Sequence, residues 1–219
     1  DFARLANDEW LNDETVSFFF CFLARRDTSQ CRKYTHRRPS HYFNSFFMDH
    51  LLNIKDPVED RRWSYTYYAV RRWSLKFTLF EQEKVYIPIN IGMYHWALVV
   101  VFVQEQRIHY YDSMSQTTPG RGKVYLRAIL QWVADTYARD PLRMGLLDLS
   151  PWRLVLDEPV PQQVGGTDCG VFTIMCADFL SDNLPLTYSC RSSWWSEQPF
   201  LSEVLWPYCL CAPGLPIAP

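Results

Sequence analysis

Long hydrophobic runs, a charge excess of one sign and regularly spaced cysteines are all missing from this sequence. The longest apolar stretch, Trp96 to Val103, has eight residues, far short of the roughly 20 that a membrane-spanning helix needs. The formal net charge is -2, which argues against a dedicated nucleic-acid binder, because those carry a basic excess that neutralises phosphate. No signal-peptide pattern opens the chain. The first residue is Asp1 rather than Met, so the sequence reads as a fragment whose upstream segment is missing. Its seven cysteines (Cys21, Cys31, Cys169, Cys176, Cys190, Cys209 and Cys211) are odd in number and irregular in spacing. That pattern fits reduced thiols in a cytosolic or nuclear protein better than a disulfide framework. Internal repeats and interdomain linkers are absent as well.

What is present is ordinary globular composition with an aromatic excess. The 219 residues are 48% hydrophobic and 21% charged, enough to build a core without a disulfide or metal staple. Aromatic residues reach 16%, including 9 Trp, which points to a rigid core or an aromatic-lined groove. Asn12 and Asp13 can cap a helix running to about Leu23, which Phe18, Phe19, Phe20 and Phe22 make apolar nearly all round. Residues 25–41 are polar and basic and read as a surface loop. Helical stretches follow around Phe46, Phe47 and Leu51, and from about Ser64 to Trp73. The period then changes to strands at Val85–Ile89, Trp96–Val103 and Arg107–Tyr111, the last two forming a hairpin over Gln104–Gln106. Leu126, Ile129, Leu130, Val133 and Tyr137 trace one face of an amphipathic helix. Trp152–Leu156 reads as a further strand, and a buried helix opens at Cys169 after the turn at Gly165-Gly166. Helices at both ends of a central run of strands predict an α+β domain.

Of the cysteines, Cys169 has the best setting for chemistry. At a helix N-terminus the positive dipole end favours its thiolate, and Asp168 is placed to cap that helix. A base is still required. Counting from the hairpin turn, His95 and Asp112 fall abreast at its open end, where a carboxylate can orient an imidazole. Gln163, six residues before Cys169, carries an amide able to donate to an oxyanion beside the Cys169 backbone N–H. Nucleophile, base, orienter and oxyanion donor are the parts of thiol acyl transfer. Each residue also has an ordinary reading: a small core cysteine, a structural histidine, an Asp-Ser turn and a surface glutamine.

The residues also carry a resemblance. Trp10-Leu11-Asn12-Asp13, Phe43-Asn44-Ser45-Phe46-Phe47, Val70-Arg71-Arg72-Trp73 and Ile87-Pro88-Ile89-Asn90 resemble segments of the Ulp/SENP catalytic domain, the SUMO-specific cysteine proteases of the papain-like group. They are followed in family order by His95-Trp96-Ala97-Leu98, Tyr111-Asp112-Ser113 and Pro161-Gln162-Gln163…Asp168-Cys169-Gly170-Val171-Phe172. The resemblance implies a papain-like fold with a central, mostly antiparallel sheet flanked by helices. It implies Cys169 as nucleophile, His95 as general base and acid, Asp112 as orienter and Gln163 as oxyanion donor. Trp10 and Trp96 match two tryptophans whose faces leave a slot only diglycine can thread, and Asp13 is either a contact for the ubiquitin-like body or a helix cap. The implied activity is cleavage after the C-terminal diglycine of a ubiquitin-like modifier, with SUMO and SUMO-conjugated proteins as partners. Alternatives are NEDD8 or ubiquitin as modifier, a non-catalytic binding module, or an acetyltransferase on the same scaffold. No cofactor, metal, nucleic acid or membrane enters this reading. The expected state is a monomer, nuclear or cytoplasmic.

The match stops near Ser189. Residues 190–219 hold five Pro, three Trp and three Cys but only three charged residues, without the amphipathic helix that ends the family's domain. The chain is therefore expected to divide into a catalytic domain at 1–189 and a divergent tail at 190–219. Cys190, Cys209 and Cys211 lack the further ligands that a zinc site requires. Arg32, Lys33, His36, Arg37 and Arg38 form a basic cluster that reads as a solvated loop or a localisation signal.

Overall fold

The computed structural model describes residues 9–53, 64–115, 120–143, 145–156 and 159–188. The elements are α1 (Asp13–Lys33), β1 (His41–Tyr42), α2 (Phe46–Leu52), α3 (Tyr67–Ser74), β2 (Lys84–Ile91), β3 (His95–Phe102), β4 (Arg107–Tyr111), α4 (Lys123–Ala138), β5 (Arg153–Val155) and α5 (Cys169–Ser181). The five strands form one sheet in the order β1-β2-β3-β4-β5. Its long central ladders, β2 with β3 and β3 with β4, are antiparallel, while the short edge strands β1 and β5 pair in parallel.

Why β3 lacks an alternating pattern is visible in its two faces. Successive side chains on a strand point to opposite sides. Ala97, Val99 and Val101 pack with α2, α3 and α4, whereas Trp96, Leu98, Val100 and Phe102 pack with α1 and α5. Both faces are dry, so apolar residues occupy every position from Trp96 to Phe102. The architecture is α+β, with the sheet between two helical layers.

Two expectations change. Helix α1 does not stop near Leu23 but runs on to Lys33, so much of the presumed loop over residues 25–41 is helical. Its polar second half is stabilised by partners outside the helix. Arg26 Nη1 lies 2.6 Å from Asp178 Oδ1. The buried Asp27 accepts the Ser40 backbone N–H at 2.8 Å and pairs with Arg37 at 3.3 Å. Arg37 is therefore drawn out of the basic cluster, while Arg32, Lys33, His36 and Arg38 remain exposed. Helix α3 begins at Tyr67 rather than Ser64, because the Ser64 and Thr66 N–H groups bond the Leu52 and Leu51 carbonyls at the end of α2. The short edge strand β1, at the end of the presumed loop, is also unforeseen, because it forms only by pairing with β2; the other elements lie within a few residues of where their periods placed them. The tail at 190–219, with Cys190, Cys209 and Cys211, lies outside the described residues.

Candidate active site

Helix α5 brings Cys169 to its first position, at the edge of the sheet where β3 begins and β4 ends. The helix is complemented electrically at its other end. Lys84 Nζ donates to the Leu180 carbonyl at 3.0 Å, Arg37 to the Ser181 carbonyl at 2.6 Å, and Arg26 to the Asp178 carbonyl at 3.5 Å. Cations at a helix C-terminus satisfy its orphan carbonyls, leaving the thiol at the electropositive N-terminus. Asp168 holds the N-cap position, but its side chain makes no capping hydrogen bond. The expected cap is thus absent, and the first turn closes by the backbone alone, Phe172 N–H to the Asp168 carbonyl at 2.9 Å. Gly170 is required at the next position: a Cβ there would come within 2.9 Å of Leu11, which lies against the start of the helix.

The β3–β4 ladder ends at the Leu98–Tyr111 pair, and beyond it His95 and Asp112 meet. His95 Nε2 and Asp112 Oδ1 are 2.8 Å apart, with both residues buried. Nε2 being engaged, Nδ1 is the nitrogen left for the thiol, and it has no nitrogen or oxygen partner. Burial by itself would lower the His95 pKa. Hydrogen bonding to Asp112 and to Cys169, together with their charges, outweighs burial and pushes it up to about 9. Burial would likewise raise Asp112, yet hydrogen bonds from His95, Met114 and Tyr110 hold it below the usual carboxylate value.

Gln163 is not idle. Its Oε1 accepts from the Ser113 hydroxyl at 2.6 Å, and its Nε2 donates to the Gly165 carbonyl at 2.6 Å. Trp96 is buried, and its indole N–H donates to the Leu11 carbonyl at 2.8 Å. Trp10 is half exposed, and its N–H donates to the Gly166 carbonyl at 2.9 Å. Trp10 is thus tied to the glycine turn that precedes Cys169, and Trp96 to Leu11 beside it. Capping of α1 falls to Asn12, whose Oδ1 accepts from the Thr15 backbone N–H at 3.0 Å. Asp13 instead accepts from Asn90 Nδ2 at 3.3 Å. Burial and the charge of Asp13 together push Asp49 up to about 6.

Tyr110 is a site residue that the sequence reading missed. Its hydroxyl donates to Asp112 Oδ2 at 2.9 Å, while the Met114 backbone N–H reaches Oδ1 at 2.8 Å. A signal existed, since residues two apart on a strand share a face. Among the described residues no cluster of three His, Cys, Asp or Glu side chains is placed to hold a metal ion.

Residues 9–195 match the Ulp1 protease family, C-terminal catalytic domain. The chain belongs to that family. Ubiquitin-like-specific protease 1A of Arabidopsis thaliana is 32% identical over 185 residues, covering 83% of this chain and 34% of the relative. Human sentrin-specific protease 2 is 33% identical over 192 residues, covering 86% of this chain and 28% of the relative. This member of the Ulp1 family therefore spans about a third of the length of such relatives. Among solved structures, the C-terminal Ulp1 protease domain in complex with Smt3, the yeast orthologue of SUMO, superposes with a TM-score of 0.66. It is 27% identical and is matched over 86% of this chain and 73% of its own. Ulp1 with its catalytic cysteine oxidised to a sulfenic acid gives a TM-score of 0.72 at 25% identity, over 96% of this chain and 83% of the other. The papain-like α+β expectation agrees with these Ulp1-like neighbours.

Proposed function

We propose that the chain is a thiol protease domain that cleaves after the C-terminal diglycine of SUMO, acting in precursor maturation, deconjugation or both. The observation that carries this reading is the contact of His95 with Asp112 at 2.8 Å beside a cysteine that opens a helix. Family membership over residues 9–195 and the likeness to a protease domain bound to Smt3 support the modifier. In this reading the catalytic unit occupies 1–189 and 190–219 is a divergent tail.

The chemistry follows from the placement of each group. His95, its pKa pushed up to about 9, takes the proton of the Cys169 thiol, and Asp112 holds the resulting imidazolium in line. The thiolate attacks the carbonyl carbon of the terminal glycine, forming a C–S bond. The carbonyl oxygen becomes an oxyanion that accepts from the Cys169 backbone N–H and from Gln163 Nε2. Collapse breaks the C–N bond, and His95 gives its proton to the departing lysine amine or peptide nitrogen. A water then enters, His95 removes its proton, and the thioester is hydrolysed to a free carboxylate with the thiol pair restored. Trp10 and Trp96 line the approach to Cys169, where a Cβ on the substrate would meet an indole face. Asp13, at the rim beside Asn90, is a contact for the body of the modifier. The reduced-thiol chemistry suits a nuclear or cytoplasmic enzyme.

A panel of SUMO, NEDD8 and ubiquitin C-terminal fluorogenic substrates tests the proposal. Turnover of SUMO that disappears in Cys169→Ser is the expected result. Preference for NEDD8 or ubiquitin would reassign the modifier, and binding of SUMO without turnover would make the domain a recognition module.

A further inference from the structure

We propose that Ser113 is the positioning residue that sets the Gln163 amide for the oxyanion, a role that rests on the thiol-protease reading above. The loop after β4 and the loop before α5 are joined by several hydrogen bonds, among them Ser115 Oγ to Gln162 Oε1 at 3.4 Å. The Gln163 backbone N–H donates to the Ser113 carbonyl at 3.0 Å, and the Ser113 hydroxyl donates to Gln163 Oε1 at 2.6 Å. Next to them, Gln162 Nε2 donates to the Asp112 carbonyl at 3.2 Å.

A primary amide has two N–H donors at one end and an acceptor at the other. Which end faces the reacting carbonyl decides whether the amide stabilises an oxyanion or repels it. Gln163 Nε2 uses one N–H on the Gly165 carbonyl at 2.6 Å, which leaves the second for developing negative charge. Turned over, the amide would set Oε1 against that same carbonyl, acceptor on acceptor. The Gly165 carbonyl, which can only accept, sets the productive sense, and Ser113 holds Oε1 from the opposite side so that the amide stays in position. Ser113 is itself buried, 7% exposed, so loss of its hydroxyl leaves Oε1 without that donor.

One dipeptide therefore serves both halves of the chemistry. Asp112 orients the imidazole, and Ser113 orients the amide. The bonds that hold Asp112 come from His95, Tyr110 and the Met114 backbone, none of them through the Ser113 side chain. Removal of the Ser113 hydroxyl should weaken oxyanion stabilisation and leave the thiol–imidazole pair intact.

The test is Ser113→Ala, alone and in a Gln163→Ala background. It reads kcat and KM on a SUMO C-terminal fluorogenic substrate, and the rate at which iodoacetamide alkylates Cys169, followed on the Cys169 peptide by mass spectrometry. Alkylation forms no oxyanion and reports only the thiolate. We expect kcat to fall about tenfold, a part of the 10²–10³ that loss of a whole oxyanion donor costs, with KM and the alkylation rate unchanged. In the Gln163→Ala background the further loss should be under about twofold, since the two residues act as a unit, and Ser113→Thr should restore most of kcat. An equal loss in both backgrounds, or a parallel loss of alkylation, would place Ser113 in the fold or the Asp112 side and overturn the proposal. Full activity in Gln163→Ala would overturn the oxyanion role of Gln163 and this inference with it. Turnover that survives Cys169→Ser would instead overturn the protease assignment.

Discussion

At the scale of single residues, the histidine decides how the site responds to pH. His95 is pushed up to about 9 because Asp112 and Cys169 outweigh the cost of burial. The imidazolium therefore persists through neutral pH, and kcat/KM should fall on the alkaline side near pH 9. Asp112→Asn removes the anion, so the limb should move down toward the ordinary histidine value of about 6.5. The rate should also fall by about 10² or more, since the imidazole loses its orientation. Tyr110→Phe deletes only one donor to Asp112. It should raise the Asp112 pKa, shift the limb in the same direction by less, and cost about 1 kcal/mol of stability. Rate–pH profiles of the three proteins check this; an unshifted limb in Asp112→Asn would detach the histidine from the carboxylate. The same shift makes His95 stabilising in full below its unfolded pKa of about 6.5, a contribution lost as pH rises through about 9.

At the scale of elements, α1 and β1 illustrate two kinds of dependence. Asn12 caps α1 through the Thr15 N–H, and Asn12→Ala should cost about 1 kcal/mol. Asp27→Ala should cost more, about 3 kcal/mol, because Arg37 and the Ser40 N–H both lose a buried acceptor. Urea denaturation compares the two, and similar midpoints would remove Asp27 from its structural role. Next to this junction, His41 of β1 stacks on Phe77 at 3.7 Å with an interplanar angle of 11°. Burial, helped by Lys76, lowers its pKa to about 4. On β4, burial and Arg107 lower His109 to about 4 as well. Both groups fold neutral, so their contribution is present above the unfolded value of about 6.5 and is lost as pH falls through 4. The melting temperature should drop across that window, and His41→Phe, which keeps the ring stack, should make the drop shallower.

At the scale of the whole molecule, the sheet is a shared wall between two cores. Trp132 of α4 fills the first core against Phe43 and Phe47, with its N–H donating to Ser74 Oγ at 2.9 Å. Trp132→Ala should cost about 3–5 kcal/mol, a large part of the roughly 5–15 kcal/mol that holds a domain folded. Leu98→Ala, on the other face of β3, should also cost about 3 kcal/mol. It acts on the core that seats α5, so it should lower the Cys169 alkylation rate as well, whereas Trp132→Ala should not at temperatures where it stays folded. Thermal melts paired with thiol titration distinguish the two faces.

How much of this was readable beforehand follows from the range of each interaction. The amphipathic period of α4, the unbroken apolar run of β3 and the cysteine opening α5 are local patterns, and each element stands close to where its pattern put it. The hairpin count brought His95 and Asp112 abreast because a ladder's register propagates from its turn. The second half of α1 is not legible locally, because Arg26 on it, and Arg37 which pairs with its Asp27, are satisfied by residues more than 140 positions away. The same holds for the Gln163 amide, which is held in place by Ser113, 50 residues earlier. A sequence of this length without a membrane-length apolar run, a basic excess or a cysteine framework determined by itself an α+β domain that carries one thiol at a helix start. Only the tertiary structure decided which charges are spent and which way an amide points, since those depend on partners that local sequence does not bring together.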